Sequence, residues 1–357
     1  MKNLNSDFDL QLNINGMSSH VLDSISDVGR VINKDGQDIY SNFSMKKLKG
    51  KLDDKELNIL RKISNTTFTT GTTFIDEQTL ANKIYSVKSS PVFNDKKEVI
   101  YAVEVFRDIS IGASIRNELF MANKKMIDDI KFAKKIQTSI LPRIKEYKDF
   151  TFEYRYEPSE QLSGDIFDLI KIDDDKYCVY IADVVGHGVS ASFMTMFIRQ
   201  TVRSIISEGK VYLPNDLLKE LLNRFKELDL DSSQYFSIFY GVVDIEKKRF
   251  IYSNGGHNSI PILFRGNDYF LLEGEGKFIS NVFSKVKYEE QSIYIKEGDE
   301  LLLYTDGVIE TKNIEKEEFG IDRLLEVKNN DGELLDNLFD SINKFRWGEQ
   351  KDDVALL

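Results

Sequence analysis

Apolar residues in the second half of the chain, residues 150–357, fall into short runs separated by turn residues, with a few longer stretches of three-four spacing. Short apolar runs are typical of β-strands, whereas three-four spacing is typical of amphipathic helices. Strands are predicted at Thr151–Tyr156, Phe167–Ile172, Tyr177–Ile181, Phe236–Asp244, Arg249–Asn254, Ile262–Arg265, Tyr269–Leu272, Glu290–Tyr294 and Glu300–Tyr304. Helices are predicted at Ser190–Glu208, Leu213–Leu228, Ile321–Val327 and Gly332–Phe345. This mixture indicates an α+β fold.

Residues 19–110 also alternate strands with turns. The segment DVGRVINKDGQDIYSN predicts two strands joined by a Lys-Asp-Gly turn, and two longer strands, Ile84–Phe93 and Val99–Arg107, flank an Asn-Asp-Lys-Lys turn. Met45–Asn65 is charged and helix-like. Residues 1–18 are polar and rich in Asn, which predicts a flexible tail.

Residues 111–141 form a different kind of segment, a long helix that Pro142 ends. Two interpretations of its apolar stripe are open: the helix packs on its own domain, or it forms a parallel coiled coil between two copies of the chain. A helix between two domains has little core of its own to cover, which favours the coiled coil and hence a homodimer. The stripe consists of Ile115, Leu119, Ala122, Met126, Ile130, Ala133, Ile136 and Ile140.

Length and charge narrow the function classes. The chain has 357 residues, enough for two domains, and 59 acidic against 48 basic residues give it a formal net charge of −11. This surplus argues against a nucleic-acid or anionic-membrane partner. Cys178 is the only cysteine, which excludes an intrachain disulfide and a Cys-based zinc site. No signal-peptide core and no membrane-length apolar run is present, so a cytoplasmic protein is expected.

Aspartates stand where apolar strands meet turns at four places. They are Asp165 and Asp168 in LSGDIFD, Asp183 in YIADVVGHG, Asp306 in LLLYTDGVIET, and Asp352 and Asp353 in EQKDDVALL. A single aspartate of this kind is ordinary turn or cap chemistry. Several carboxylates buried close together would be unfavourable unless cations neutralised them, although spacing alone does not establish that the four places converge.

Only hard cations suit such a site, because the chain offers one Cys and three His. Oxygen ligands select Mg²⁺ or Mn²⁺, with Ca²⁺ as a competitor. Two such ions hold and activate a water molecule and bind a phosphoryl oxygen, which is the arrangement for hydrolysis of a phosphate ester.

Five motifs in the same order resemble the PPM family of metal-dependent protein phosphatases, specifically its SpoIIE/RsbU-like branch. AKKIQTSILP (Ala133–Pro142) also matches the helix end that precedes the core in this branch, so the resemblance spans residues 133–357. It implies a β-sandwich flanked by helices, in a domain at 142–357, with two Mn²⁺ or Mg²⁺ ions in a cleft at one edge. The motifs are Ser163-Gly164-Asp165-Ile166-Phe167-Asp168, Asp183-Val184-Val185-Gly186-His187-Gly188, Asn254-Gly255-Gly256-His257, Thr305-Asp306-Gly307 and Asp352-Asp353.

The resemblance also implies a role for each ligand. Asp183 would bridge both metals, and the carbonyl oxygen of Val184 would complete the coordination of one. Asp306 and Asp352 would hold the second metal. Asp165 would bind a metal directly or through water.

Four further residues of the motifs are candidates for supporting or catalytic roles. Asp353 is expected as a further metal ligand or, like Asp168, as a group behind the ligands. His187 either donates a proton to the leaving group or hydrogen-bonds its own loop. His257 is expected to be structural.

Two glycines have an expected role, and three positions depart from the family pattern. Gly186 and Gly188 are expected to let the loop approach the metals, because a Cβ would crowd the site. Ser163 replaces a glycine, Gly255 replaces an alanine, and Ala355 stands where threonine is usual. None of these changes removes a predicted ligand.

Residues 19–110 resemble a PAS sensor domain. The resemblance rests on VLDSISDVGRVINKDGQDIYSNFS (Val21–Ser44), on Tyr85–Ser110 and on the closing Arg-Asp-Ile-Ser. His20 lies outside the expected pocket and Cys178 lies in the other domain, which argues against haem and against a flavin–cysteine photosensor; the ligand is unknown.

The function expected is therefore a PAS-regulated phosphoserine/phosphothreonine protein phosphatase in which metal-activated water attacks phosphorus in line. By family analogy its substrate would be a small phosphorylated regulator of the anti-anti-sigma-factor kind. Two other functions are open: a catalytically inactive module that binds a phosphoprotein, and a sensor dimer with a plain β-sandwich scaffold. Loss of ligand aspartates would mark the inactive module, and the chain keeps them all.

Overall fold

The computed structural model describes residues 27–143, 145–147, 149–209, 213–328 and 333–357. Contacts between residues divide the chain into two compact units, Met1–Lys125 and Met126–Leu357. The predicted tail at residues 1–18 lies outside the described residues, as does His20.

The described part of the first unit contains a five-stranded antiparallel sheet. Its strands are β1 (Val28–Asn33), β2 (Asp38–Ser41), β3 (Phe74–Leu80), β4 (Lys83–Phe93) and β5 (Val99–Asp108). The strand order is β2-β1-β5-β4-β3. Both predicted hairpins are confirmed. Strand β3 was missed because its sequence, FIDEQTL, does not alternate apolar with polar residues, although the burial of its side chains alternates.

The predicted helical region Met45–Asn65 is two helices, α1 (Phe43–Lys49) and α2 (Asp54–Thr70). Gly50 ends α1, and Asp53 starts α2. The Asp53 carboxylate accepts a hydrogen bond from the Glu56 N–H, and the Glu56 side chain accepts one from the Asp53 N–H. This capping box explains the break, because it starts a new helix only a few residues after the first one ends.

The predicted linker helix is confirmed as α3 (Ser110–Ile140). Gln137 is its one buried residue, and large apolar side chains of the helix face solvent. No helix among the described residues combines the length and the apolar character needed to cross a membrane. The exposed apolar residues of α3 are Ile111, Ile115, Leu119, Phe120, Met121, Met126, Ile127, Phe132 and Ile136.

The second unit contains the remaining elements. Its described strands are β6 (Lys145–Glu146), β7 (Thr151–Phe152), β8 (Arg155–Glu157), β9 (Asp165–Lys171), β10 (Lys176–Val184), β11 (Tyr235–Asp244), β12 (Arg249–Gly255), β13 (Ile262–Arg265), β14 (Asp268–Leu271), β15 (Ile279–Ser280), β16 (Gln291–Tyr294), β17 (Asp299–Leu302) and β18 (Val354–Leu356). Its described helices are α4 (Val189–Ser207), α5 (Pro214–Lys226), α6 (Asp306–Ile309), α7 (Gly320–Val327) and α8 (Leu334–Phe345).

These strands form two layers. The first sheet has the order β16-β12-β11-β10-β9, with β15 paired to the start of β11. In the second layer β14, β13 and β17 pair in that order, and β18 pairs with β8. A bridge between Tyr304 and Leu356 joins the end of β17 to β18.

Side-chain alternation along the second layer shows how the layers pack. Leu263 and Ala355 share a core with the first sheet, whereas their neighbours Ile262 and Leu356 pack in a second core with residues of α7 and α8. A strand that buries both faces in this way lies between a sheet and helices. On the far side of the first sheet, the Phe225 ring of α5 lies 5.5 Å from Phe236 of β11. The observed unit is therefore a mixed α/β sandwich with helices on its outer faces.

Most predicted elements of this unit are present within one or two residues of their expected ends. The predicted strand Thr151–Tyr156 is instead two short strands, β7 and β8. Position 332, where the last helix was expected to begin, lies outside the described residues, and α8 is observed from Leu334.

Candidate active site

Two predicted ligands lie opposite each other on neighbouring strands. Asp165, the first residue of β9, is paired in register with Asp183 near the end of β10. Their side chains point to the same face of the sheet because directly paired residues share a face. On the other side of β10, Asp183 pairs with Ser237, whose hydroxyl contacts the ring of His257.

The other ligand candidates come from the second layer. Asp306 is the first residue of α6 and follows the end of β17 by four residues, and Asp352 lies just before β18. Gly307 explains how these segments meet, because a Cβ on it would lie 2.1 Å from the carbonyl oxygen of Asp353. Only glycine allows this approach of the two backbones.

Electrostatic coupling shows that the four places converge. Burial and the charge of Asp183 raise the pKa of Asp165 well above its usual range. Burial, followed by the charges of Asp306 and Asp352, raises the pKa of Asp183 to about 8. Burial and nearby carboxylates also raise the pKa values of Asp306 and Asp352. Carboxylates that raise one another's pKa in this way lie in a site where full ionisation is unfavourable unless a cation neutralises the charges.

The donor set fits a divalent cation. Asp165 is buried, and its Oδ2 has no hydrogen-bond partner in the structure. An orphaned carboxylate oxygen among other carboxylates is the chemistry that Mg²⁺ and Mn²⁺ accept. Among the described residues, no three acidic, His or Cys side chains already converge tightly enough to hold an ion. Binding would therefore have to draw these mutually repelling carboxylates together.

Close backbone approach at the site depends on Gly164, which the sequence interpretation did not single out. A Cβ on Gly164 would lie 3.0 Å from the carbonyl oxygens of Val184 and Gly186, and its own carbonyl accepts the Val184 N–H at 3.1 Å. The role expected of Gly186 and Gly188, to let the loop approach the metals, stays a prediction. Their φ angles are 87° and 80°, a Cβ on Gly186 would meet nothing within 4 Å, and on Gly188 only the Glu160 side chain at 3.5 Å. The left-handed backbone at both positions by itself favours glycine.

Asp353 has a supporting position. One carboxylate oxygen accepts hydrogen bonds from the Ser159 N–H at 2.7 Å and its hydroxyl at 2.9 Å. The other accepts them from the Ser163 hydroxyl at 2.5 Å and the Gly164 N–H at 2.8 Å. These bonds occupy the acceptor positions that a metal would need. These contacts favour the alternative in which Asp353 stands behind the ligands, and its role as a metal ligand stays a prediction. Ser163, in place of glycine, supplies one of the donors.

Asp168 faces away from the ligand candidates, because an offset of three residues along a strand reverses the side. It is fully buried and its carboxylate accepts hydrogen bonds from Arg203 Nε at 2.7 Å and Nη2 at 3.0 Å, with Arg199 Nε at 3.3 Å. Both arginines belong to α4, so Asp168 ties β9 to the helix that follows the Gly-His-Gly loop.

The two histidines differ in environment. His187 is 74% exposed, and its Nδ1 lies 2.9 Å from Glu160 Oε1. His257 is buried; its Nε2 lies 3.0 Å from the Tyr304 carbonyl oxygen, so this nitrogen carries the proton. Burial lowers the pKa of His257 to about 4, which keeps the ring neutral. These contacts match the structural role expected of His257.

Gln137 is a site-bordering residue that the sequence interpretation missed. Its Nε2 donates to the Ser163 carbonyl at 2.8 Å and lies 3.1 Å from Thr195 Oγ1, and its Oε1 accepts the Ser163 N–H at 3.1 Å. The end of α3 is thereby fixed to the residue two before Asp165 and to α4. The sequence did offer one signal for this role, a single glutamine, Gln137, on the face of the helix that carries the apolar stripe.

A family model confirms the family resemblance of the second unit. The model of Stage II sporulation protein E (SpoIIE) matches residues 173–357. The chain belongs to the SpoIIE family. Phosphoserine phosphatase RsbU of Bacillus subtilis is 24% identical over 273 residues, which cover 73% of this chain and 79% of RsbU. Phosphoserine phosphatase RsbP of the same organism is 30% identical over 187 residues, covering 51% of this chain but only 45% of RsbP.

Among solved structures, the SiaA-PP2C domain of Pseudomonas aeruginosa superposes on this SpoIIE-family chain with a TM-score of 0.55 at 20% identity. The match covers 66% of this chain and 96% of that domain, and it shows the shared fold. Together these findings confirm the enzyme class predicted from sequence, a protein serine/threonine phosphatase of the SpoIIE type.

Proposed function

We propose that the chain is a Mn²⁺- or Mg²⁺-dependent phosphatase that hydrolyses phosphoserine or phosphothreonine in a regulatory protein. The carrying observation is the convergence of Asp165, Asp183, Asp306 and Asp352, each with a raised pKa, around one end of the sandwich. Such a set of carboxylates suits cation binding better than acid–base catalysis, since the groups repel one another when ionised.

The residues available to hold two ions are the side chains of Asp165, Asp183, Asp306 and Asp352 and the carbonyl oxygen of Val184. When bound, divalent cations supply water of lowered pKa and bind phosphoryl oxygens. Asp353 keeps the Ser163-Gly164 turn in place through its hydrogen bonds. The Thr305 hydroxyl donates to the Asp353 carbonyl at 3.2 Å and accepts the Ala355 N–H at 3.0 Å, which holds the chain next to Asp306 against the start of β18.

His187 is proposed as the proton donor to the leaving seryl oxygen. It lies on the loop between Asp183 and α4, is solvent-exposed, and is paired with Glu160. Imidazole is the side chain that most often serves as a general acid, and this one stands on the loop next to Asp183.

The proposed substrate is a small phosphorylated regulator of the anti-anti-sigma-factor kind. Support comes from RsbU and RsbP, both named phosphoserine phosphatases. The chain spans less than half of RsbP, so the substrate is carried over as a proposal and not as a shared property.

Regulation through residues 19–110 and α3 is proposed on two observations. The described part of the first unit is an antiparallel sheet with two helices between its second and third strands, compatible with a PAS sensor. The apolar stripe of α3 is exposed along most of its length, including Ile115, Leu119 and Met126. A second copy of the chain would cover this stripe in a coiled-coil homodimer.

The metal mechanism is tested by Mn²⁺-dependent hydrolysis of p-nitrophenyl phosphate by the wild type, Asp183→Asn and the control Asp340→Asn, which changes an exposed aspartate on α8. We expect activity in the wild type and the control, and a loss of at least 100-fold in Asp183→Asn, on the scale of removing one main charged group from an active site. Absence of activity in the wild type, or equal activity in all three proteins, contradicts the proposal.

A further inference from the structure

A strip of three neighbouring rings, Tyr235, Phe278 and Phe283, lies beside the loop that follows Asp183. Val185, two residues after Asp183, donates its N–H to the Tyr235 carbonyl at 3.2 Å. The Tyr235 ring lies 4.6 Å from Phe278, and Phe278 lies 5.1 Å from Phe283. The ammonium of Lys277 lies 4.6 Å above the Phe283 ring.

This ring strip faces solvent in part. Tyr235 and Val185 are each 36% exposed, and Val282, beside Phe283, is 60% exposed. Isolated exposed apolar residues are ordinary, but contiguous ones next to a catalytic centre mark an interaction surface. Aromatic side chains also contribute more to binding than their frequency on surfaces suggests.

A cleft of about 1050 Å³ adjoins the strip and shares Lys277 with it. One wall is the Asn254–His257 turn, whose histidine contacts both Ser237 and Tyr304. The other wall is the β14–β16 loop, residues 272–290, which contributes Lys277, Lys285 and Lys287 as well as Glu273, Glu275 and Glu289.

The β14–β16 loop is held rigidly against the sheet. Ser253 donates to the Glu289 carbonyl at 2.7 Å, and Lys226 donates to the Ser284 carbonyl at 3.0 Å. A Cβ on Gly276 would lie 1.7 Å from the Asn254 carbonyl oxygen, so the loop backbone lies directly on the end of β12. A surface fixed in this way loses little conformational entropy on binding.

The charged residues that line the cleft are three lysines and three glutamates, whereas the neighbouring ligand candidates are all carboxylates. A phosphorylated protein must approach a cluster of carboxylates on a chain of net charge −11, which opposes its association. The lysines of the cleft offer attraction for the phosphate or for acidic neighbours of the phosphoserine, and the ring strip offers contact for an apolar neighbour.

We propose that the ring strip and the lysine-bearing cleft form the docking surface for the segment of the protein substrate that flanks its phosphoserine, with one apolar and one acidic residue near the phosphorylated position. This proposal rests on the proposed phosphatase function. It predicts that the surface affects recognition of peptides and proteins but not hydrolysis of a small phosphate ester, which reaches only the carboxylate site.

The test compares two phosphoserine nonapeptides, one with Leu and Asp flanking the phosphoserine and one with Gly and Ser, with p-nitrophenyl phosphate as the small substrate. One variant is Val282→Ser with Phe283→Ala; the other is Lys277→Gln with Lys285→Gln, which replaces exposed side chains and so keeps the fold. Lys247→Gln is the control, since Lys247 lies in the β11–β12 turn at the other end of the same sheet.

We expect the wild type to favour the Leu/Asp peptide about tenfold in kcat/KM, a preference worth about 1.4 kcal/mol. Both double variants should lose most of this preference through KM, while the control and all rates on p-nitrophenyl phosphate stay unchanged. No preference in the wild type, or a preference that both variants keep, overturns the docking surface alone.

Two further results also decide the matter. If the wild type does not hydrolyse p-nitrophenyl phosphate with Mn²⁺, the proposed function fails and the docking role fails with it. If the variants change the molecular mass in solution while KM for the Leu/Asp peptide stays constant, the surface binds a second copy of the chain and the substrate proposal is overturned.

Discussion

Replacement of Gln137 by leucine is the most direct test of how α3 supports the active site. The substitution keeps a side chain of similar length in the buried position but removes both the amide donor and the amide acceptor. It leaves the Ser163 N–H and carbonyl, which Gln137 binds at 3.1 and 2.8 Å, without these partners. Thr195 keeps its hydrogen bond to the Ser192 carbonyl at 2.8 Å and is affected less.

The expected loss of stability follows from the two backbone groups of Ser163 that lose their hydrogen-bond partners. Ser163 is fully buried, so water does not replace the lost partners without a shift of the backbone. A buried polar group left unsatisfied costs about 1–3 kcal/mol, which gives about 2–6 kcal/mol for two groups before relaxation. Relaxation of the Ser163-Gly164 turn lowers the stability loss, but it moves Asp165. We therefore expect a loss of stability of about 2–4 kcal/mol together with weaker metal activation.

The assay has two parts, both at a temperature where every variant is folded. Urea unfolding followed by circular dichroism gives the free energy of unfolding, and p-nitrophenyl phosphate hydrolysis as a function of Mn²⁺ gives the concentration for half-maximal activity. We expect this concentration to rise about tenfold or more in Gln137→Leu. The control is Lys135→Leu, an exposed position on the same helical turn, which should match the wild type in both measurements.

One result would refute the reasoning. A folded Gln137→Leu protein with the same Mn²⁺ dependence as the wild type would show that the contacts of α3 with Ser163 do not position Asp165. A loss of stability without a change in Mn²⁺ dependence would assign Gln137 a purely structural task.

Three further predictions concern the site and the linker. The folded-state pKa values of Asp165 and Asp183 are raised, the latter to about 8, so the folded protein loses stability as the pH rises and these groups ionise. The Tm in EDTA should therefore fall from pH 6 to pH 8.5, and Mn²⁺ should reverse the fall. A flat or rising Tm in EDTA contradicts this. Gly164→Ala should reduce Mn²⁺-dependent activity at least tenfold, since the new Cβ would lie 3.0 Å from two carbonyl oxygens. The control Gly112→Ala has open space around its Cβ and should keep wild-type activity, and equal activity of the two variants would contradict the steric argument. Met126→Glu with Ile130→Glu should lower the molecular mass measured by light scattering and alter the basal rate, and an unchanged mass together with an unchanged rate would exclude the coiled-coil proposal.

The sequence by itself determined the elements and the location of the candidate chemistry. Strand and helix positions follow from local periodicity, and aspartates beside glycines mark strand ends because turn chemistry is local. Asp183 and Asp306 could be singled out in this way, and the order of the motifs indicated the family that the comparison with SpoIIE confirmed. The break between α1 and α2 was missed because a capping box competes with a continuous helical pattern.

Only the tertiary structure decided what each carboxylate does. Asp165 and Asp168 stand three residues apart, yet one faces Asp183 and the other binds Arg203, because a strand alternates its faces. Asp353 and its neighbour Asp352 differ because the folded chain brings the Ser163-Gly164 turn against Asp353 alone. The contacts of Gln137 and Gly164 likewise join segments distant in sequence. Periodicity reports which residues are buried, but hydrogen-bond partners and backbone approach depend on how the layers pack.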